Sequence, residues 1–188
     1  MTHPIIIGIS GASGAIYGIE LLKALRAASI ETHLVISKTA QITIAYETDY
    51  SLPQVHKLAD HFYSVNDMSA AIASGSFKTM GMIVAPCSMR SLAEIGTGMS
   101  TNLLTRAADV ILKERRRLVL MARETPLHSI HLKHMLTLSD MGAIIAPPVP
   151  AFYSKPANLQ EMVAHTVGRV LDLFEIEHQM VKRWAGVE

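Results

Sequence analysis

Serines, arginines and two glutamates carry the chemistry that can be read from this chain. Gly8-Ile9-Ser10-Gly11-Ala12-Ser13-Gly14-Ala15 follows a short β-branched run, Ile5-Ile6-Ile7, and leads straight into a helical pattern. Small residues let the backbone turn sharply and approach a ligand, and the N–H groups opening the next helix favour an anion. A phosphate or mononucleotide fits better than a dinucleotide. Ser10 replaces one glycine of GxGxxG, and the next strand ends at Ser37 with no carboxylate to read a ribose. Hydroxyls at Ser13, Ser37, Ser88 and Ser91 could cradle a phosphate and a polar ring, although each serine alone also reads as a helix cap or turn residue. A second set is cationic. Arg106 and Lys113 stand seven apart, on one helical face, and Arg123 and Arg169 join them as candidates for a second phosphate. Pairing with Asp109 or Glu114 is the structural alternative. Glu47 and Glu124 are the proton-transfer candidates, with an ion-pair role open to both. Cys87 follows Pro86 at a strand end. It is either activated by a helix N-terminus or a buried, inert thiol. His128, His131 and His134 have a spacing that puts them on one helical face, but no carboxylate or cysteine joins them locally, and no metal is expected.

The elements that must position these groups alternate. Strands are expected at residues 5–7, 31–37, 80–85, 117–122 and 143–146. Helices are expected at 15–28, 39–47, 89–113 with a break around Gly96-Thr97-Gly98, and 130–140. A last helix is striped by Val163, Val167, Val170, Leu171 and Phe174, and residues 48–67 read as polar and irregular, with Pro53 near a helix start. This alternation predicts an α/β fold, a single-domain doubly wound parallel sheet of the flavodoxin or Rossmann kind over residues 1–188, sandwiched by helices. Ligands in such sheets sit beyond the carboxyl ends of the strands. That rule gathers Ser10–Gly14, Ser37–Lys38, Pro86–Ser91, Arg123–Thr125 and Pro147–Tyr153 along one edge.

Composition bounds the function. The 188 residues are 49% hydrophobic and 18% charged with net charge +1. No basic stripe interleaved with aromatics points to nucleic acid, and no apolar run is long enough to span a bilayer. One cysteine and an apolar start without a basic n-region point to the cytoplasm. A mean hydropathy of +0.28 with few aromatics points to large subunit interfaces.

Taken in order, Gly11-Ala12-Ser13-Gly14-Ala15, Ser37-Lys38, Glu47-Thr48, Ala73-Ser74-Gly75-Ser76, Pro86-Cys87-Ser88, Arg106 to Arg115 (RAADVILKER), Arg123-Glu124-Thr125-Pro126 and Pro150-Ala151-Phe152-Tyr153 form a joint signature. The chain resembles the bacterial flavin prenyltransferases over essentially its whole length, through Arg183-Trp184. The resemblance implies transfer of a dimethylallyl group from dimethylallyl monophosphate to N5 and C6 of reduced FMN, without a metal. It also implies a dodecamer and a product, prenylated FMN, handed to a separate decarboxylase. By resemblance, Gly11, Ala12, Ser13, Ser37, Ser88, Met89, Arg90, Ser91 and Arg123 hold FMN. Ser74, Arg106, Lys113, Tyr153 and Arg169 hold the donor phosphate, partly across a subunit interface, with Trp184 near the pocket. Glu47 and Glu124 assist proton movements, and Ser13 lies close to N5. One departure is Arg117, which follows Arg116 where the family usually has proline; at a strand start, it bears on stability or assembly. The FMN-dependent cysteine decarboxylases share the fold, but here Pro86-Cys87-Ser88-Met89 replaces their Asn-rich loop, and residues 42–58 offer only His56. A non-catalytic FMN carrier is the remaining alternative, and such a carrier needs no second phosphate site.

Overall fold

The computed structural model describes residues 3–181, 183 and 186. Ile5–Ile9 (β1), Thr32–Ile36 (β2) and Gly81–Cys87 (β4) are buried at every position, as runs covered on both faces must be. Arg117–Ala122 (β5) is buried after its first residue. His61–Tyr63 (β3) and Ile144–Ile145 (β6) are short and only partly covered. All pairings are parallel, in the order β3-β2-β1-β4-β5-β6. The connections therefore run outwards in both directions from a reversal between β1 and β4, where a crevice opens beyond the strand ends.

Helices cover both faces. On one face Ala15–Ala27 (α1), Lys38–Glu47 (α2), Leu52–His56 (α3) and Leu159–Asp172 (α7) pack over Ile5, Ile7, Ile9, Leu34, Ile36, Val119 and Met121. On the other, Met89–Gly96 (α4), Leu103–Lys113 (α5) and Ser129–Asp140 (α6) pack over Ile6, Val35, Met82, Val84, Leu118 and Leu120. The two lists alternate along each strand, as a pleated sheet with two buried faces requires.

The expected doubly wound sheet is the one observed, with two local corrections. Residues 48–67 are not irregular throughout: they hold α3 and the edge strand β3. The expected break in the helical stretch 89–113 is observed: α4 and α5 are parted by Gly98 at φ +71°, and Asn102, whose side chain accepts the Thr105 N–H, restarts the helix. Single 3-10 turns at Ala71–Ala73 and Phe152–Ser154 lie in segments without helical periodicity. Among the described residues no helix is long and apolar enough to cross a membrane.

Candidate functional site

At the reversal, Ser10 joins β1 to β4. Its buried hydroxyl donates to the Pro86 carbonyl at 2.8 Å and accepts the Ser88 N–H at 2.7 Å. Glycine could make neither bond, which accounts for the serine in the glycine pattern. Gly11 is demanded by packing: a Cβ there would lie 2.5 Å from Cβ and Cγ2 of Thr39, so α2 closes against the loop only because no side chain intervenes.

The expectation that α1 aims its N-terminus at a ligand phosphate is corrected. Gly14, at φ +101°, starts the helix, and Glu47 Oε2 accepts the N–H of Gly14 at 2.7 Å and of Ala15 at 3.3 Å. α2 carries Glu47 on its last turn back to the start of α1, where a carboxylate satisfies the free donors and the helix dipole. Glu47 and the exposed Ser13 thus stand at the same turn, beside Ala12.

A cleft of about 410 Å³ opens on the carboxyl edge, next to this turn. Three helices begin at its wall. Ser37 caps α2 through the Ala40 N–H, Ser88 caps α4 through the Ser91 N–H, and Asn102 caps α5 through the Thr105 N–H. Three N-termini in one cleft give a strong preference for an anion. Of the residues anticipated to hold FMN, Gly11, Ser37, Ser88, Arg90 and Ser91 line the cleft. Ala12, Ser13 and Met89 occupy the same loop and helix start, and Arg123 is pinned nearby through its N–H to the Cys87 carbonyl at 3.1 Å. Arg90 pairs with Glu94 at 2.9 Å. Burial works to raise the Glu94 pKa, but hydrogen bonds from Thr101 and Arg90 and the charge of Arg90 outweigh it and hold the carboxyl below its ordinary range.

Lys38, Thr39, Asn66, Glu94, Thr101 and Asn102 also line the cleft without having been singled out as site residues. Asn102 was legible as a cap before an apolar helix start. Asn66 was not, because the strand that delivers its loop went unread.

The cations divide into two groups. Arg106 donates to the Ala73 carbonyl at 3.3 Å and to Asp109 at 2.9 Å, beside Ser74, and Lys113 pairs with Glu114. Arg169 on α7 pairs with Asp172 at 2.7 Å, and the Tyr153 hydroxyl lies 3.3 Å from His165 Nε2. Hydrogen bonding from Arg183 above all, with help from His178 and against the effect of burial, holds the Asp172 carboxyl down at about 2. Two observations keep these cations apart within one chain. The cations do not share one strand edge, since Lys113 stands about 10 Å farther along α5 than Arg106. Moreover, α5 and α7 lie on opposite faces of the sheet. Arg90, Arg106, Lys113 and Arg169 all have carboxylate partners within the chain. Trp184 lies outside the described residues.

Glu124 follows Arg123 at the exposed end of β5, its carboxylate accepting the Thr125 N–H at 3.0 Å. Cys87 is fully buried, which pushes its thiol up to about 12. It is inert, and the activated alternative is set aside. The three helical histidines do not form a ligand set. His128 spends Nδ1 on the Ile130 N–H and stacks on His131 at 3.5 Å. Arg117 lies at the start of β5, over the Phe174 ring at 5.6 Å and 3.9 Å from Glu175, on the edge opposite the cleft.

Comparison with known proteins bears on this site. The sequence model of the Flavoprotein family matches residues 1–181. A probable UbiX-like flavin prenyltransferase of Bacillus subtilis (strain 168) is 59% identical over 184 residues, covering 98% of this chain and 90% of the relative. The crystal structure of AnUbiX (PadA1), in complex with FMN and dimethylallyl pyrophosphate, superposes with a TM-score of 0.98 at 52% identity over the whole of both chains. A dodecameric FMN-dependent UbiX-like decarboxylase of Escherichia coli O157:H7 gives 0.95 at 52% identity, over 97% of this chain and 100% of that one. The peptidyl-cysteine decarboxylase EpiD, at 16% identity and a TM-score of 0.66 over 93% and 99% of the two chains, shares the fold alone. Near-complete coverage at more than half identity leaves one assignment: this chain belongs to the flavin prenyltransferase family.

Proposed function

We propose that the cleft at the β1/β4 reversal binds reduced FMN and that the chain joins to it, at N5 and C6, the dimethylallyl group of dimethylallyl monophosphate. The observation that carries this reading is the convergence of three capped helix starts and a row of hydroxyls on one cleft. The donor set fits the acceptor. N-termini and Lys38 suit a phosphate, while Ser88, Ser91, Asn66 and Asn102 can meet the polar edge of a heteroaromatic ring. Gly11, Ala12, Ser13, Ser37, Ser88, Met89, Arg90, Ser91 and Arg123 are the residues assigned to hold it. Reduced flavin, when bound, supplies the electron-rich nitrogen and carbon that accept the alkyl group.

The chain's own contribution is electrostatic and positional. As the C–O bond of the donor breaks, the phosphate leaves with the electron pair, and Arg106, Lys113 and Arg169, with Ser74 and Tyr153, stabilise it. No divalent cation is required if enough positive charge surrounds that phosphate. Arg106 and Arg169 belong to opposite faces of one chain, so a complete phosphate site draws on two subunits, within an assembly that we take to be a dodecamer. Glu47 and Glu124 move the protons displaced by the new bonds, with Ser13 beside the acceptor nitrogen. The prenylated flavin is then released to a separate decarboxylase, in the cytoplasm, whose reducing conditions suit a chain with one buried thiol.

The decisive experiment incubates the purified protein with anaerobically reduced FMN and dimethylallyl monophosphate, without added metal, and weighs the released flavin by mass spectrometry. A flavin heavier by one isoprenyl unit is the expected result. Unmodified flavin despite tight FMN binding would overturn the proposal and favour a carrier.

A further inference from the structure

At the opposite edge of the sheet, Glu31, His33 and His61 converge. Alternate residues of a strand share a face, and the β2–β3 register sets His33 beside His61. Glu31 Oε1 lies 3.0 Å from His33 Nε2 and 3.3 Å from His61 Nε2. The three ligand atoms all lie within 4.8 Å of one another. Ligands bound about 2.0–2.1 Å from a tetrahedral zinc ion are themselves about 3.3 Å apart, so two edges of such a polyhedron are already at metal spacing.

The ring that matters most is held in place. His33 is buried, and its Nδ1 lies 2.8 Å from the Tyr63 hydroxyl, which directs Nε2 at Glu31. A metal-bound histidine needs just such a partner on its other nitrogen. Phe77 closes the inner side, edge-on to His33 at 4.9 Å. The outer side opens to a cleft of about 470 Å³ walled in part by Arg26 and Asp60. Neither of these competes for the site. Arg26 donates to the Lys57 carbonyl at 2.6 Å, and Asp60 accepts the Thr32 N–H and hydroxyl at 2.8 and 3.0 Å.

We propose that Glu31, His33 and His61 form a binding site for a divalent transition-metal ion of the zinc class, tying β3 to β2 on the edge away from the prenylation cleft. Two imidazoles and one carboxylate favour zinc, cobalt or nickel over magnesium or calcium, which prefer an all-oxygen shell. The fourth position faces the outer cleft, open to water.

Untagged protein stripped with a chelator is titrated with zinc by calorimetry, and with cobalt by visible absorption. The parent protein is expected to bind one equivalent, to show the intense bands of four-coordinate cobalt, and to melt about 5–10 °C higher at a hundredfold excess of zinc over Kd. His61→Ala and Glu31→Gln change half-exposed side chains, and retained FMN binding checks that each variant is folded. Each is expected to weaken zinc binding about tenfold or more and to lose the cobalt bands. A parent protein that takes up no stoichiometric zinc, or variants that bind it as the parent does, would overturn the site.

Discussion

Ser10, just past the end of β1, and Cys87, at the end of β4, lie on the two sides of the reversal, and their environments set them apart. The Ser10 hydroxyl has two fixed partners, whereas the Cys87 thiol has only a distant contact, 3.7 Å from the Ser88 carbonyl. Because burial lifts the native thiol to about 12 from an ordinary 9.0, the unfolded chain loses this proton first as pH rises. Stability is therefore whole below pH 9 and falls between pH 9 and 12, by about 1.4 kcal/mol per pH unit from this group. Urea titrations across that range should show a steeper fall in the parent protein than in Cys87→Ala, and native Cys87 should resist thiol reagents at pH 8. At Glu124 the prediction is chemical. Glu124→Gln keeps shape and polarity but cannot take up a proton, so FMN binding persists while flavin prenylation slows by about a hundredfold or more. Anaerobic turnover beside FMN titration separates the two. Much of this was legible: Ser37 and Ser88 are caps by type and position, and both line the cleft. The clamp formed by Ser10 was not, because its partners lie 76 and 78 residues away. Pairing with Asp109 or Glu114 was open from spacing alone, and both pairs form, Arg106 with Asp109 and Lys113 with Glu114.

Elements position these residues by how closely they approach. α2 is wedged between the opening loop and the start of α1, with Thr39 against Gly11 at one end and Glu47 on the N–H groups of Gly14 and Ala15 at the other. Gly11→Ala forces the helix outward and should cost about 1–3 kcal/mol of stability, with weakened FMN binding. Adding Thr39→Gly removes the colliding Cβ and should recover most of the FMN affinity, although glycine in the first turn carries its own cost. A double-mutant cycle of FMN affinities checks the coupling. Periodicity gave α1, α2 and α6 within a residue or two of their ends, whereas α3 lay inside the stretch read as irregular. It failed for β3, whose His61-Phe62-Tyr63 is short and two-thirds exposed in sequence order, so no alternation rises above that of an ordinary loop. The glycine-rich turn read as a ligand cradle is also held tight by Thr39, against which Gly11 leaves no room for a side chain.

For the whole molecule, the informative relation is between faces. Arg106 belongs to the face covered by α4, α5 and α6, and Arg169 to the face covered by α1, α2, α3 and α7. If one phosphate uses both, Arg106→Ala and Arg169→Ala subunits are each inactive alone but complement one another. Co-assembled in equal amounts, they should regain on the order of a quarter of parental turnover, the share of sites drawing both intact arginines from neighbours in a closed symmetric oligomer. Mixed assemblies with no recovery would place the site within one subunit. The sheet itself takes no part in such joining. Its outermost strands contain three and two residues, too little exposed backbone to template a further strand. Contacts between copies of this chain are therefore expected through side chains on helices and loops, where shape fixes the angle of approach. Growth by continuous strand addition, the usual route from a sheet to a fibre, ends after a single short rung.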